Sequence, residues 1–84
     1  MINTKSTWDK FHYCYLTKKS TFHKGDKLHN NVGYAKKDAN TNIEEYYLNG
    51  VKIGYSHLID DEIEYFIGSV KATKDELFEI IGNN

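Results

Sequence analysis

The residues best suited to chemistry are four histidines and a single cysteine. His12 and Cys14, two positions apart, would share one face of a strand. His23, His29 and His57 are the remaining ligands that could approach them. Zinc accepts imidazole and thiolate, but its structural sites are marked by close pairs such as C-x2-4-C or H-x3-5-H. Here the spacings are H-x-C and H-x5-H, so no metal or cofactor is expected. Strand histidines and a cysteine acting as a small hydrophobe account for the same residues. Nucleophilic catalysis needs a thiolate or hydroxyl beside a base that a third group orients, and no nucleophile-elbow glycine pattern is present. A ribonuclease could use His12 and His23 as acid and base, with Lys19 or Lys24 on the phosphate. That pattern needs only common residue types. The expectation is a protein that is not an enzyme.

Binding chemistry has more to work with. Lys10, Lys18, Lys19, Lys24, Lys27, Lys36 and Lys37 interleave with Trp8, Phe11, Tyr13, Tyr15, Phe22 and Tyr34. Lysines supply the sequence-independent attraction to phosphates, and exposed aromatics stack on bases. An RNA-binding or single-strand-binding module is therefore one reading. Against it stand the absence of arginine and a pI near 6.4. The glycines form neither G-x-G-x-x-G nor G-x-x-x-x-G-K, so nucleotide hydrolysis is unsupported.

The formal net charge of −1 conceals an asymmetry. Residues 1–37 carry eight lysines against Asp9 and Asp26, a net +6, and residues 38–84 carry three lysines against ten acids, a net −7. Such separation suggests a partner surface with an electrostatic bias, unless the halves interleave in the fold. Asp60, Asp61, Glu62 and Glu64, with Glu44, Glu45, Asp75, Glu76 and Glu79, could present a negative face to a basic protein such as a nuclease.

Eighty-four residues make one domain, with 1–7 as a disordered or short N-terminal extension. At about 0.05–0.15 kcal/mol per residue its stability should be on the order of 4–12 kcal/mol. Any ligand site should be shallow. A lone cysteine, no signal peptide and no run of about 18 apolar residues argue for a cytoplasmic protein with no membrane partner. The lack of proline, arginine and glutamine, with abundant lysine, asparagine, isoleucine and tyrosine, suggests an AT-rich genome.

These residues must be positioned by an α+β fold, a small antiparallel sheet of four or five strands closed by one C-terminal helix. Asn49-Gly50 between two apolar-alternating segments is a type I′ hairpin signal. It pairs Leu48 with Val51, Tyr46 with Ile53 and Glu44 with Tyr55 on a core face, and leaves Tyr47 with Lys52 and Glu45 with Gly54 on the other. Gly54 suggests a bulge or a close backbone approach. Residues 63–70 form the next strand. Thr73 and Glu76 make a capping box, Leu77, Ile80 and Ile81 the buried stripe with Phe78 beside it, and Gly82 the C-cap. In the N-terminal half, residues 11–16 read as a strand in preference to a helix capped by Ser6. Residues 21–31 read as a polar loop, 32–36 as a short strand and 37–42 as a loop.

Tyr47 and Phe66 then face away from the helix, where aromatics favour protein contacts. In size, composition and lack of catalytic signals the chain resembles small phage-encoded accessory proteins, which often bind and inhibit a host or defence enzyme. That resemblance implies a non-enzymatic inhibitor acting on a protein partner. An edge strand in so small a sheet could pair with a second copy, so a monomer or a homodimer is expected. From the acidic turn and the outward-facing aromatics, not from the resemblance, the expected contact residues are Tyr47, Phe66, Asp60, Asp61, Glu62 and Glu64.

Overall fold

A computed structural model describes residues 5–82, and the chain is an antiparallel sheet with one C-terminal helix. The strands are β1 (Lys10–Cys14), β2 (Lys19–Lys24), β3 (Lys27–Leu28), β4 (Lys36–Asp38), β5 (Ile43–Leu48), β6 (Val51–Ile59), β7 (Glu62–Ile67) and β8 (Val70–Ala72). Helix α1 spans Lys74–Gly82. Across the sheet the order is β1-β2-β4-β5-β6-β7-β8, with β3 paired to β2. Strand order thus follows chain order, and every pairing is antiparallel.

Tight turns set this meander. Asn49 and Gly50 both have positive φ, 50° and 84°, as a type I′ turn demands. Asp60 and Asp61 repeat that pattern between β6 and β7, with φ of 49° and 65°.

The helix begins as the sequence indicates. Thr73 N–H donates to Glu76 Oε1 at 2.9 Å, and Glu76 N–H donates to Thr73 Oγ1 at 3.1 Å, a reciprocal capping box. Leu77 and Ile81 are fully buried against Tyr46 and Leu48. Phe78 joins them, edge-on to Tyr46 at 5.6 Å. Ile80 is 39% exposed, so Phe78 rather than Ile80 completes the packing stripe. Burial, above all, pushes the Tyr46 hydroxyl up to about 12, leaving a neutral donor beside Ser56 and Glu44. A second cluster lies under the N-terminal strands, where Phe22 meets Trp8, Phe11 and Tyr34 at centroid distances of 4.9, 4.8 and 5.6 Å.

Several expectations are corrected. The sheet has eight strands, not four or five. The presumed loop at 21–31 holds most of β2 and all of β3, because Phe22 alone anchors a strand whose other residues are polar. The strand expected at 32–36 lies at Lys36–Asp38 instead, taking over the start of the supposed 37–42 loop. Its approach still bonds like a strand: Phe22 N–H donates to the Ala35 carbonyl at 2.7 Å, and Ala35 N–H to that of Glu45 at 2.8 Å. Of the N-terminal extension, residues 1–4 lie outside the described residues, whereas Lys5 and Thr7 are hydrogen-bonded to Asn31. Gly82 is the last helical residue and is buried.

The hairpin register also departs from the simple pairing. Leu48 opposes Val51 and Tyr47 opposes Lys52, but the ladder then shifts, so Tyr46 opposes Gly54 and Glu45 opposes Tyr55. Ile53 is the extra residue of a β-bulge. The reason lies on the next strand: a Cβ on Gly54 would overlap the Phe66 carbonyl oxygen. Gly54→Ala should therefore cost about 1–3 kcal/mol, as overpacking does. Gly33→Ala, whose added methyl would meet only the Asn30 amide at 3.7 Å, should cost far less. Urea denaturation of both variants checks the difference; equal midpoints would refute the close approach.

Candidate functional site

Residues paired across an antiparallel ladder share a face, so the register sorts the side chains. Tyr13, Ser20, Lys37, Glu44, Ser56 and Tyr65 form one cross-strand row on the helix side. His12, Thr21, Lys36, Glu45, Tyr55, Phe66 and Lys71 form the matching row on the opposite side, which no helix among the described residues covers.

The open face has an aromatic centre. Tyr55 stacks on Phe66 with centroids 4.6 Å apart and an interplanar angle of 14°. Lys52 Nζ lies 5.3 Å from the Tyr55 centroid and 3.4 Å from Glu45 Oε1. Tyr47 belongs to this face and donates its hydroxyl to Glu45 Oε1 at 2.9 Å. Burial first, then this carboxylate, raises the Tyr47 hydroxyl above its ordinary value.

Four of the six expected protein-binding residues, Tyr47, Phe66, Glu62 and Glu64, fall on this face by strand alternation. Asp60 and Asp61 form the hairpin tip at its margin. Glu64 is partly neutralised by Lys71 at 3.5 Å. Asp60, Asp61 and Glu62 have no ion-pair partner among the described residues. Sequence reasoning missed Tyr55: the bulge moves it from the core side to the open side, beside Phe66.

The seven lysines do not make one patch. Lys10, Lys19 and Lys36 lie on the open face, whereas Lys24, Lys27 and Lys37 lie on the helix side and Lys18 sits in a turn with φ 55°. Lys37 is committed to Glu44, 3.4 Å away, and to the Tyr34 ring. The N-terminal aromatics Phe11, Tyr13 and Phe22 are on the helix side, away from the open-face lysines. Because strand order follows chain order, the basic and acidic halves occupy opposite ends of the sheet. They meet at the β4–β5 seam, where Lys36 opposes Glu45 and Lys37 opposes Glu44.

The histidines separate. His12 and His23 lie diagonally on β1 and β2 of the open face, with Lys10 opposite His23. Nδ1 of His23 is buried without a hydrogen-bond partner. Cys14 opposes Lys19, and hydrogen bonds from Thr17 lower its thiol pKa. Among the described residues no three His, Cys, Asp or Glu side chains are grouped to hold a metal. No helix among them is long and apolar enough to cross a membrane.

His29 has a different task. It is 2% exposed; its Nδ1 accepts from Asn49 N–H at 2.9 Å, and its Nε2 meets Thr7 Oγ1 at 2.6 Å. An accepting Nδ1 carries no proton, so Nε2 does and donates to Thr7. His29 thereby ties the N-terminal segment to the β5–β6 turn. Asn31 extends the tie by accepting from Thr7 N–H and donating to the Lys5 carbonyl.

No protein-family model, curated protein or solved structure matches the chain.

Burial first, and Lys24 next, hold His29 below its ordinary 6.5, with Asp9 opposing. A depressed folded-state value means that the unfolded chain binds the extra proton first. The contribution of His29 is then complete above pH 6.5 and is lost as pH falls below it. Between roughly pH 8 and pH 5, the wild type should lose more stability than His29→Gln does. Urea midpoints at both ends of that window decide it, and parallel losses would mean that His29 is not held neutral.

Proposed function

We propose that this protein is a non-enzymatic binding protein whose partner docks on the open face of the sheet. The observation that carries this reading is the stacked Tyr55–Phe66 pair on that face, flanked by Tyr47. Rigid aromatics presented on a regular scaffold are the usual anchors of protein interfaces. Glu62 and Glu64 on the same face, with Asp60 and Asp61 at its margin, favour a partner with a basic surface, such as a nuclease or other nucleic-acid enzyme. Exposed charges of this kind accelerate encounter more than they add affinity. Inhibition of a host or defence enzyme, in the manner of phage accessory proteins, is the form of function that suits a small domain of this chemistry.

A second reading has its own support. Lys10, Lys19 and Lys36, with His12 and His23, share the open face at its basic end, and Tyr55 and Phe66 lie along the same surface. A single strand of RNA could cross from phosphate contacts to base stacking on one plane. The His12–His23 diagonal is also where a minority ribonuclease activity would reside.

Affinity capture of the tagged protein from host lysate, with and without ribonuclease, separates these readings. A single stoichiometric protein that survives ribonuclease supports the first. Replacing Asp61, Glu62 and Glu64 with lysine, and separately Phe66 with alanine, should then weaken capture. The charge variant should also lose the salt dependence of binding. Recovery that collapses with ribonuclease transfers the weight to the basic end, where Lys10→Ala with Lys19→Ala should reduce the salt slope by about 1–2. Cleavage of added RNA that His12→Ala abolishes would overturn the non-enzymatic reading.

A further inference from the structure

The helix side of the sheet holds a depression of about 170 Å³ lined by Lys37, Asn42, Glu44, Ser56, Leu58 and Ile63. It lies on the face opposite the stacked aromatics and shares no residue with the partner surface proposed there. Register explains its composition. Lys37, Glu44 and Ser56 are successive members of one cross-strand row, and Leu58 pairs with Ile63 across β6 and β7. Asn42, with φ of 57°, precedes β5 and accepts Leu58 N–H on its carbonyl at 3.2 Å.

The polar groups are held from behind. Ser56, 2% exposed, donates to Glu44 Oε1 at 3.4 Å, and the Tyr46 hydroxyl donates to the same oxygen at 3.4 Å. Glu44 Oε2 faces Lys37 Nζ at 3.4 Å, and the Lys37 ammonium lies 5.8 Å from the Tyr34 ring centroid. Both charged side chains remain partly open to solvent, at 41% for Lys37 and 34% for Glu44. Beside them Leu58 and Ile63 are 41% and 55% exposed, an aliphatic wall that none of the described residues covers.

We propose that this depression binds a free aliphatic α-amino acid. The site offers one cation, one anion and one apolar wall within a single small volume. A ligand carrying only a carboxylate would meet Glu44, and one carrying only an ammonium would meet Lys37, so a single charge is repelled as much as it is attracted. A zwitterion satisfies both: its carboxylate goes to Lys37 and the Asn42 amide, its ammonium to Glu44, and its side chain to Leu58 and Ile63. The depression is small, about 170 Å³. That suits a branched aliphatic amino acid better than a nucleotide, since sites for larger ligands run to about 300 Å³ and above.

The test uses the wild-type protein, ¹⁵N-labelled, titrated separately with L-leucine, 4-methylpentanoate and 3-methylbutylamine. Leucine should shift the amides of Lys37, Asn42, Glu44, Ser56, Leu58 and Ile63 with Kd on the order of 1 mM, and neither analogue should reach saturation in the same range. Lys37→Met and Glu44→Gln should each weaken leucine binding about tenfold while amide dispersion stays that of the wild type. Absence of leucine shifts overturns the proposal, as does equal binding of either singly charged analogue. The analogue comparison is made on unaltered protein, so it stands even where a variant fails to fold.

Discussion

One helix must close a sheet of eight strands. At 1.5 Å per residue, nine residues reach about 14 Å, whereas seven strands side by side extend roughly 29 Å. The helix can therefore cover only part of one face. It sits over β5 and β7, where Leu77 and Ile81 meet Tyr46 and Leu48. Part of the rest of that face is occupied by the aromatic cluster around Phe22, and among the described residues no layer covers the opposite face. The overall extents of 37 × 34 × 19 Å are those of a broad slab. Both proposed sites follow from this shortage of cover: the aromatic plane on the bare face, and the depression that the helix does not reach.

A slab has little interior, and the chain compensates with hydrogen bonds. Among the described residues the buried hydrophobic side chains are Ala35, Tyr46, Leu48, Leu77 and Ile81, against four buried polar ones: His29, Asn30, Asn31 and Ser56. The consecutive His29, Asn30 and Asn31 work as connectors. Asn30 donates its amide to the Tyr34 carbonyl and accepts from Val32 N–H, while His29 and Asn31 hold the N-terminal segment. Buried polar groups so paired contribute about 1 kcal/mol each, and removing a partner costs more than the bond itself contributes. Single substitutions among these three residues thus reach both the N-terminal segment and the β5–β6 hairpin.

Legibility tracked how local each determinant is. Asn49-Gly50 and Thr73-x-x-Glu76 could be read because a positive φ pair and a reciprocal cap are complete within four residues. The strand at 11–16 was legible from its aromatics, although it ends at Cys14. By contrast, β2 presents a single apolar side chain and looks like a polar loop; only packing against Trp8, Phe11 and Tyr34 makes it a strand. The bulge was signalled by Gly54, but its effect on Tyr55 was not, because the clash that requires glycine comes from the Phe66 backbone on another strand. The lysines fall in one stretch of sequence, but alternation within β2 and β4 sends Lys19 and Lys36 to one face and Lys24 and Lys37 to the other. His29 carried no local mark distinguishing a buried connector from a ligand, and its role depends on residues 20 and 22 positions away.

The meander order has a kinetic side. Each strand pairs with one close to it in the chain, so almost every closure on the way to the native state spans a short loop and forfeits little chain entropy. Assembly can spread outward from the β5–β6 hairpin one strand at a time. The chief exceptions are the docking of α1 onto β5 and the bonds of Thr7 to Asn31 and His29. Those long-range fastenings, rather than the sheet itself, turn a series of neighbouring hairpins into one cooperative unit.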